Sequence, residues 1–162
     1  MAKEIERKFL VKSSSWKLSA RTKSTLRQAY LASAPDRSVR IRIRDGERAS
    51  LTIKIGRSAI TRDEFEYDIP IEDAEELMSK AIGTVIEKTR YRVPYHGFTW
   101  EIDVFSGAYR GLVIAEVEMD SEADRPELPP WLGREVTGVS HYSNQSLATE
   151  PQKDRHVLSY TS

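Results

Sequence analysis

The sequence contains no cysteine. Disulfides, thiolate metal sites and a cysteine nucleophile are therefore excluded, and thiol usage says nothing about compartment. Net charge is also missing: Lys plus Arg and Asp plus Glu number 25 each. A globally basic surface that would steer the protein onto nucleic acid is thus absent, and no nucleic-acid partner is expected. No apolar run approaches the ~20 residues that cross a membrane as a helix. The opening Met1-Ala2-Lys3-Glu4 leads into further charge instead of an apolar stretch. Neither a secretory leader nor a membrane partner is expected, and a cytoplasmic location is the default. Histidine is scarce: His96, His141 and His156 fall in loop or terminal positions with no Ser-His-Asp arrangement around them. Low-complexity linkers and solenoid repeats are lacking too, so one domain is expected over residues 1–150, followed by a polar tail over 151–162.

What is present is charge in alternation, at 31% of the chain. Glu4, Glu6 and Lys8 share one face of a strand, with Ile5 and Phe9 on the other. Arg27 to Leu31 sets Gln28 and Tyr30 opposite Ala29 and Leu31. Val39 to Arg44 is the plainest period-2 segment, with Arg40, Arg42 and Arg44 on one face and β-branched residues on the other. Asp45-Gly46 reads as a hairpin turn into Leu51 to Ile55, where Lys54 takes the charged face. Glu64 to Ile69 carries carboxylates in the same pattern. Lys88 to Val93 is basic on one side, and across a turn at His96-Gly97 it is followed by Glu101 to Val104 and then Ile114 to Met119. Helices are expected at Ser13 to Ala20, Ile71 to Ala81 (ended by Gly83) and Tyr142 to Thr149, with a short turn near Pro129 to Leu132.

Two arrangements satisfy eight such strands. An antiparallel sheet normally buries its apolar face and solvates its charged one. Here the charges are sorted: Arg40, Arg42, Arg44 and Lys54 on one hairpin and Lys88, Arg90 and Arg92 on another strand, against Glu64, Glu66, Glu101, Asp103, Glu116 and Glu118 on others. Ordinary surfaces mix the signs, and rows of like charge on neighbouring strands are destabilising unless something opposes them. Sorted rows point to a binding surface. Eight strands can close into a barrel with room for one small ligand, and the expected fold is therefore mainly β (α+β): a closed eight-stranded antiparallel barrel, charged face inward, with a few flanking helices. An outer-membrane barrel shares the polar-inside pattern, but these segments are often shorter than the ~9–11 residues a spanning strand needs.

Eight bases, counting Lys8 with the seven on the three basic strands, exceed the needs of a monophosphate, so the natural guest is a polyphosphate. The carboxylates suit a hard divalent cation bridging to phosphate oxygens. Phosphoryl transfer needs mainly positioning and charge neutralisation, with water as the nucleophile.

Glu4-Ile5-Glu6-Arg7-Lys8 resembles the E-x-E-x-K signature of the CYTH superfamily, the triphosphate tunnel metalloenzymes. Gln28 to Leu31, Val39 to Arg44, Ile86 to Tyr91, Trp100 to Asp103, Leu112 to Glu118, Trp131 to Thr137 and Tyr142 to Asn144 are similar to that family's blocks, in its order. The resemblance implies a triphosphate tunnel dependent on Mg²⁺ or Mn²⁺. By that likeness Glu4, Glu6, Glu116 and Glu118 would hold metal, with Asp103 or Glu101 nearby; Lys8, Arg40, Arg42, Lys54, Lys88 and Arg90 would grip phosphates. A catalytic Lys and Tyr pair would fall on Lys8 and Tyr30, although Tyr30 serves equally well as a packing residue at a tunnel mouth. Arg44 and Arg92 fit the inward phase near strand ends, and His141 stands where relatives often carry Arg. Compact chains of this kind most resemble inorganic triphosphatases, which implies hydrolysis of tripolyphosphate to pyrophosphate and phosphate. The alternatives are a class IV adenylate cyclase, a thiamine or nucleoside triphosphatase, and a polyphosphate-binding module without turnover. The partner expected is a small-molecule triphosphate, and a homodimer is allowed.

Overall fold

A computed structural model describes residues 3–56 and 58–150. The expected tail over 151–162, with His156, lies outside the described residues, as do Met1 and Ala2. The strands are β1 (Lys3–Val11), β2 (Thr22–Ala34), β3 (Arg37–Arg44), β4 (Arg48–Gly56), β5 (Thr61–Ile69), β6 (Ile82–Tyr95), β7 (Phe98–Ser106), β8 (Val113–Glu118) and β9 (Leu132–Glu135), with helices α1 (Ile71–Met78) and α2 (Asn144–Thr149). The sheet order is β5-β4-β3-β2-β6-β7-β8-β1, and β5 pairs back onto β1, which closes an eight-stranded barrel. Every pairing is antiparallel. No helix among the described residues is long and apolar enough to cross a membrane.

Turn chemistry sets the register. At Asp45-Gly46 both residues take positive φ (53° and 67°), as do His96-Gly97 (46° and 83°). That twist matches the flanking strands; His96-Gly97 is a two-residue loop between paired Tyr95 and Phe98, and Asp45-Gly46 with Glu47 a three-residue loop between paired Arg44 and Arg48. Asp45 also accepts hydrogen bonds from the Thr25 backbone N–H (2.8 Å) and hydroxyl (3.3 Å), tying the β3–β4 turn to β2.

The outward apolar faces are covered by the segments between strands. One cluster joins Phe9, Trp100, Ile102, Ala115 and Val117 to Trp16 and Trp131. A second sets Ala29, Ile41 and Ile43 against Ala74 and Met78 of α1. The helix expected over Ser13 to Ala20 is a shorter 3-10 helix, Ser15–Ser19, pinned by buried Trp16. The turn expected near Pro129 to Leu132 is present, closed by the Leu132 N–H donating to the Pro129 carbonyl oxygen at 3.2 Å, and it leads into β9, whose residues pair with Phe9 and Val11 of β1. Helix α2 starts at Asn144, two residues later than expected, because Ser143 caps it by accepting from the Ser146 N–H at 3.0 Å.

The inward phase changes character along the barrel. Glu4, Glu6 and Lys8 are followed by Leu10; Glu118 and Glu116 by Ile114; Arg92, Arg90 and Lys88 by Ile86; Glu101 and Asp103 by Phe105. Leu10, Ile86, Phe105 and Ile114 pack with Tyr109, Tyr142 and Leu147, so α2 seals that end with an apolar plug. Gly83, just after the first residue of β6, has φ 67°, and a Cβ there would lie 1.9 Å from the Ala148 carbonyl oxygen of α2. Gly83→Ala combines a left-handed backbone with a backbone clash and is expected to cost about 3 kcal/mol. Gly97→Ala, which meets nothing within 4 Å, should cost about 1 kcal/mol. Urea midpoints of the two variants check the difference.

Candidate active site

The charged part of the interior encloses a cavity of about 180 Å³. Its wall follows from register. Glu6 lies opposite Glu118 and Lys8 opposite Glu116; Glu101 lies opposite Glu116. The acidic side chains of β1, β8 and β7 therefore form one continuous arc. The cations of β6, β3 and β4 form the facing arc, and β2 separates two of these basic strands with Gln28 and Tyr30, which lie opposite Arg42 and Arg40. A neutral strand between two basic ones removes the worst of the like-charge contact. Gln28 uses that place: its amide oxygen accepts from Arg42 Nε at 2.9 Å, and its amide nitrogen donates to Asn144 at 3.1 Å.

Of the residues singled out by sequence, Glu4, Glu6, Lys8, Tyr30, Arg40, Arg42, Lys54, Arg90, Glu116 and Glu118 all line this cavity. Arg44, Arg92, Glu64, Glu66 and Glu101 line it as well. Lys88 and Asp103 do not. Both side chains are almost wholly buried behind the wall, with Lys88 Nζ 2.7 Å from Asp103 Oδ2 and 2.8 Å from the Asn144 side-chain oxygen. Asp103 accepts from Arg90 through both oxygens, at 2.8 and 2.9 Å. Its lone pairs are directed at two cations, and it holds the Arg90 fork in place.

Arg62 belongs to the site although the alternation of carboxylates on β5 begins only at Glu64. It sits two residues earlier in the same inward phase and donates to Glu4 at 3.1 Å and to Glu6 at 3.4 Å. Ser143, Asn144 and Gln145 also reach the cavity; only the fold brings them there, from a segment well over a hundred residues from β2.

The electrostatics follow from burial and neighbours. Burial opposes ionisation of Glu4, but Lys54 and Arg62 outweigh it and bring its pKa down to about 2. Burial together with Glu116 and Glu4 pushes Glu6 well above the usual carboxylate range, even with Arg62 nearby. Glu116 moves the other way: burial is outweighed by Lys8, by Arg90 and by a hydrogen bond with Glu6. Glu6 and Glu116, joined by a hydrogen bond, are thus shifted in opposite directions. Burial, reinforced by Arg40 and Arg90, lowers Arg42 to about 9. Asp103 is brought down to about 2 because Arg90 and Lys88 outweigh its burial.

A tunnel of this shape, with these residues in this order, has relatives. A family model, the CYTH domain, matches residues 2–150. The chain belongs to the CYTH family. An inorganic triphosphatase of Acetivibrio thermocellus is 43% identical over 156 residues, covering 95% of this chain and 98% of that protein. Another inorganic triphosphatase, from Nitrosomonas europaea, is 38% identical over 151 residues, covering 90% and 96%. A crystal structure of the inorganic triphosphatase NE1496 superposes with a TM-score of 0.66 at 34% identity, over 93% of this chain and 97% of that one.

The CYTH carboxylates fit a hard divalent cation by their chemistry: Glu4, Glu6, Glu116 and Glu118 offer only oxygen, and neither His nor Cys lines the cavity among the described residues. They are not gathered into a ready-made ligand set, since no three acidic or histidine side chains converge tightly among the described residues.

Two outcomes follow from the buried Lys88–Asp103–Arg90 group. Asp103→Asn takes the facing carboxylate from Lys88 and the bidentate acceptor from Arg90, which keeps only Glu101 at 3.3 Å, and should cost about 3 kcal/mol in urea unfolding. Burial, with Arg90 and Arg42, lowers Lys88 to about 7 despite Asp103. Its ammonium therefore opposes folding below pH ~7, and this cost is relieved as pH rises towards the ~10.4 of an unfolded lysine. Between pH 7 and 9 the wild type should gain up to about 2 kcal/mol relative to Lys88→Met, read from urea midpoints at the two pH values.

Proposed function

We propose that the chain hydrolyses a triphosphate, and that the substrate is inorganic tripolyphosphate, cleaved by water to pyrophosphate and orthophosphate with Mg²⁺ or Mn²⁺. The observation that carries this reading is the opposition of an acidic arc and a basic arc across one enclosed polar cavity. Binding of polyphosphate alone needs only the bases; the facing carboxylates are what a divalent cation adds to the requirement.

In this reading Glu4, Glu6, Glu116 and Glu118 hold the cation, whose chemistry is to neutralise phosphoryl oxygens. Lys8, Arg40, Arg42, Lys54 and Arg90 grip the phosphate chain. Arg40 is well placed for this, because it commits one Nη2 hydrogen bond to Thr52 at 3.2 Å and a loose ion pair to Glu66 at 3.9 Å. Lys88 and Asp103 act behind the wall: Asp103 fixes the Arg90 fork, and Lys88 is held by Asp103 and Asn144. As water adds to a terminal phosphorus and the bridging P–O bond breaks, charge accumulates on the departing pyrophosphate. Cations already aimed into the cavity meet that charge without reorganising. Lys8, with Nζ 3.8 Å from Glu116 and 3.3 Å from the Tyr142 carbonyl oxygen, lies at the junction of the two arcs, where it can serve both binding and the reaction. Tyr30, on β2 across the barrel from Lys8, lines the same cavity while packing into the apolar plug.

An adenylate cyclase would need a place for adenine. The described lining of this cavity is charged or polar, with Tyr30 its one aromatic side chain, which favours an inorganic chain over a nucleotide. Purified protein given tripolyphosphate, ATP or thiamine triphosphate, each with Mg²⁺, Mn²⁺ or chelator, is expected to release phosphate fastest from tripolyphosphate and not at all with chelator. Cyclic AMP from ATP would move it to the cyclases, and binding without turnover would refute an enzyme. Lys8→Ala and Arg40→Ala should each lower kcat/KM by about 100-fold or more, the loss of one or two charge-assisted contacts, with circular dichroism unchanged. Glu6→Gln should act mainly on the metal-dependent rate.

A further inference from the structure

Arg62 stands where the two halves of the site meet. It lies on β5 at the seam that closes the barrel, directly opposite Glu4, and its Nη2 donates to Glu4 at 3.1 Å and to Glu6 at 3.4 Å. Lys54, from the next strand, places Nζ 3.0 and 3.1 Å from the two oxygens of Glu4. Glu4 therefore carries two cations on one carboxylate, and a divalent ion reaches those oxygens only by displacing them. A displaced Arg62 need not leave the cavity. Its side chain is 31% exposed, it lines the same cavity as Lys8 and Arg40, and its planar fork matches phosphate oxygens.

Charge balance makes the exchange favourable in one direction. A divalent cation on Glu4 and Glu6 leaves Arg62 without its counter-ions, and a polyanion arriving in the cavity supplies new ones. Resting on the triphosphatase reading above, we propose that Arg62 is a further substrate-binding residue: in the free enzyme it is stored on the metal-holding carboxylates, and it passes to the phosphate chain when a divalent cation takes them. Cation and polyphosphate then bind cooperatively, and each raises the affinity of the other by the same factor. The spare guanidinium also keeps the acidic arc neutralised until substrate arrives.

The test compares wild type with Arg62→Gln and Arg62→Lys in two titrations that involve no turnover. Mn²⁺ alone is titrated in the absence of any phosphate, with free Mn²⁺ read by electron paramagnetic resonance; tripolyphosphate, as its imido-bridged analogue that water does not cleave, is titrated by calorimetry at saturating Mn²⁺. Arg62→Gln should bind Mn²⁺ about tenfold more tightly and tripolyphosphate about tenfold more weakly, the factor of one charge-assisted hydrogen bond in each case. Arg62→Lys should fall between the two, and it carries the test if the glutamine variant does not fold. A residue that merely braces the seam would weaken both affinities together; only a group shared between the two sites moves them in opposite directions. Unchanged or weaker Mn²⁺ binding in both variants, in a wild type that binds both ligands, overturns the role of Arg62 alone. A wild type that takes up neither Mn²⁺ nor tripolyphosphate overturns the triphosphatase reading and this inference with it.

Discussion

Closing a sheet with its charged face inward is tolerable only if the charges neutralise one another, and the whole arrangement answers that constraint. An isolated buried ion costs several kcal/mol after relaxation, so each must find a partner of opposite sign or a hydrogen bond. Strand order achieves this on the scale of the barrel by setting β1, β8 and β7 against β6, β3 and β4. Register achieves it locally: Arg90 opposes Asp103, Arg92 opposes Glu101, and Lys54 opposes Glu64. The pairs are strong because the interior is poorly solvated, and the same low polarisability makes every one of them sensitive to a newly arrived ion.

The interior is also divided along its length. Where the inward phase stays charged there is a cavity, and where it turns apolar α2 and the aromatic side chains of Tyr109 and Tyr142 fill the space. The division places the deepest charges, Lys88 and Asp103, at the boundary between the two zones. There they meet no solvent and act on Arg90 and Asn144 instead of on a ligand. Cation and carboxylate of this pair illustrate a general point about charged walls: the residue that touches the guest and the residue that aims it can alternate along one strand, two positions apart.

Neutralisation of the empty cavity by its own side chains has a functional side. Carboxylates suited to a divalent ion are engaged by Lys54 and Arg62, and the hydrogen bond between Glu6 and Glu116 serves the same end. A site of this kind is not a preformed cage waiting for metal. Under the proposed function it is a set of ion pairs that metal and polyphosphate together would exchange for a second set, with little change in total charge.

Much of this was legible in the chain. Period-2 alternation placed all eight barrel strands and their inward face, because a strand's side chains have no choice but to alternate; Asp45-Gly46 and His96-Gly97 marked hairpins because few residue pairs accept positive φ in succession. The sorting of charge by strand identified the cavity wall and most of its lining. Other features depended on contacts between distant segments, which alternation does not encode. Strand β9 forms because β1 offers a free edge beyond β5. Ser143, Asn144 and Gln145 enter the cavity because α2 is drawn onto the apolar plug. Arg62 was within reach of the periodicity, but its partners Glu4 and Glu6 come to it only through the closing seam. Lys88 and Asp103 share the inward phase with true lining residues, and nothing in a single strand distinguishes depth along the barrel axis. The sequence by itself determined which faces are charged and which turns connect them, since these are local consequences of side-chain alternation and backbone sterics. The tertiary structure alone decided which charge meets which, because pairing depends on strand order, register and the position of the plug.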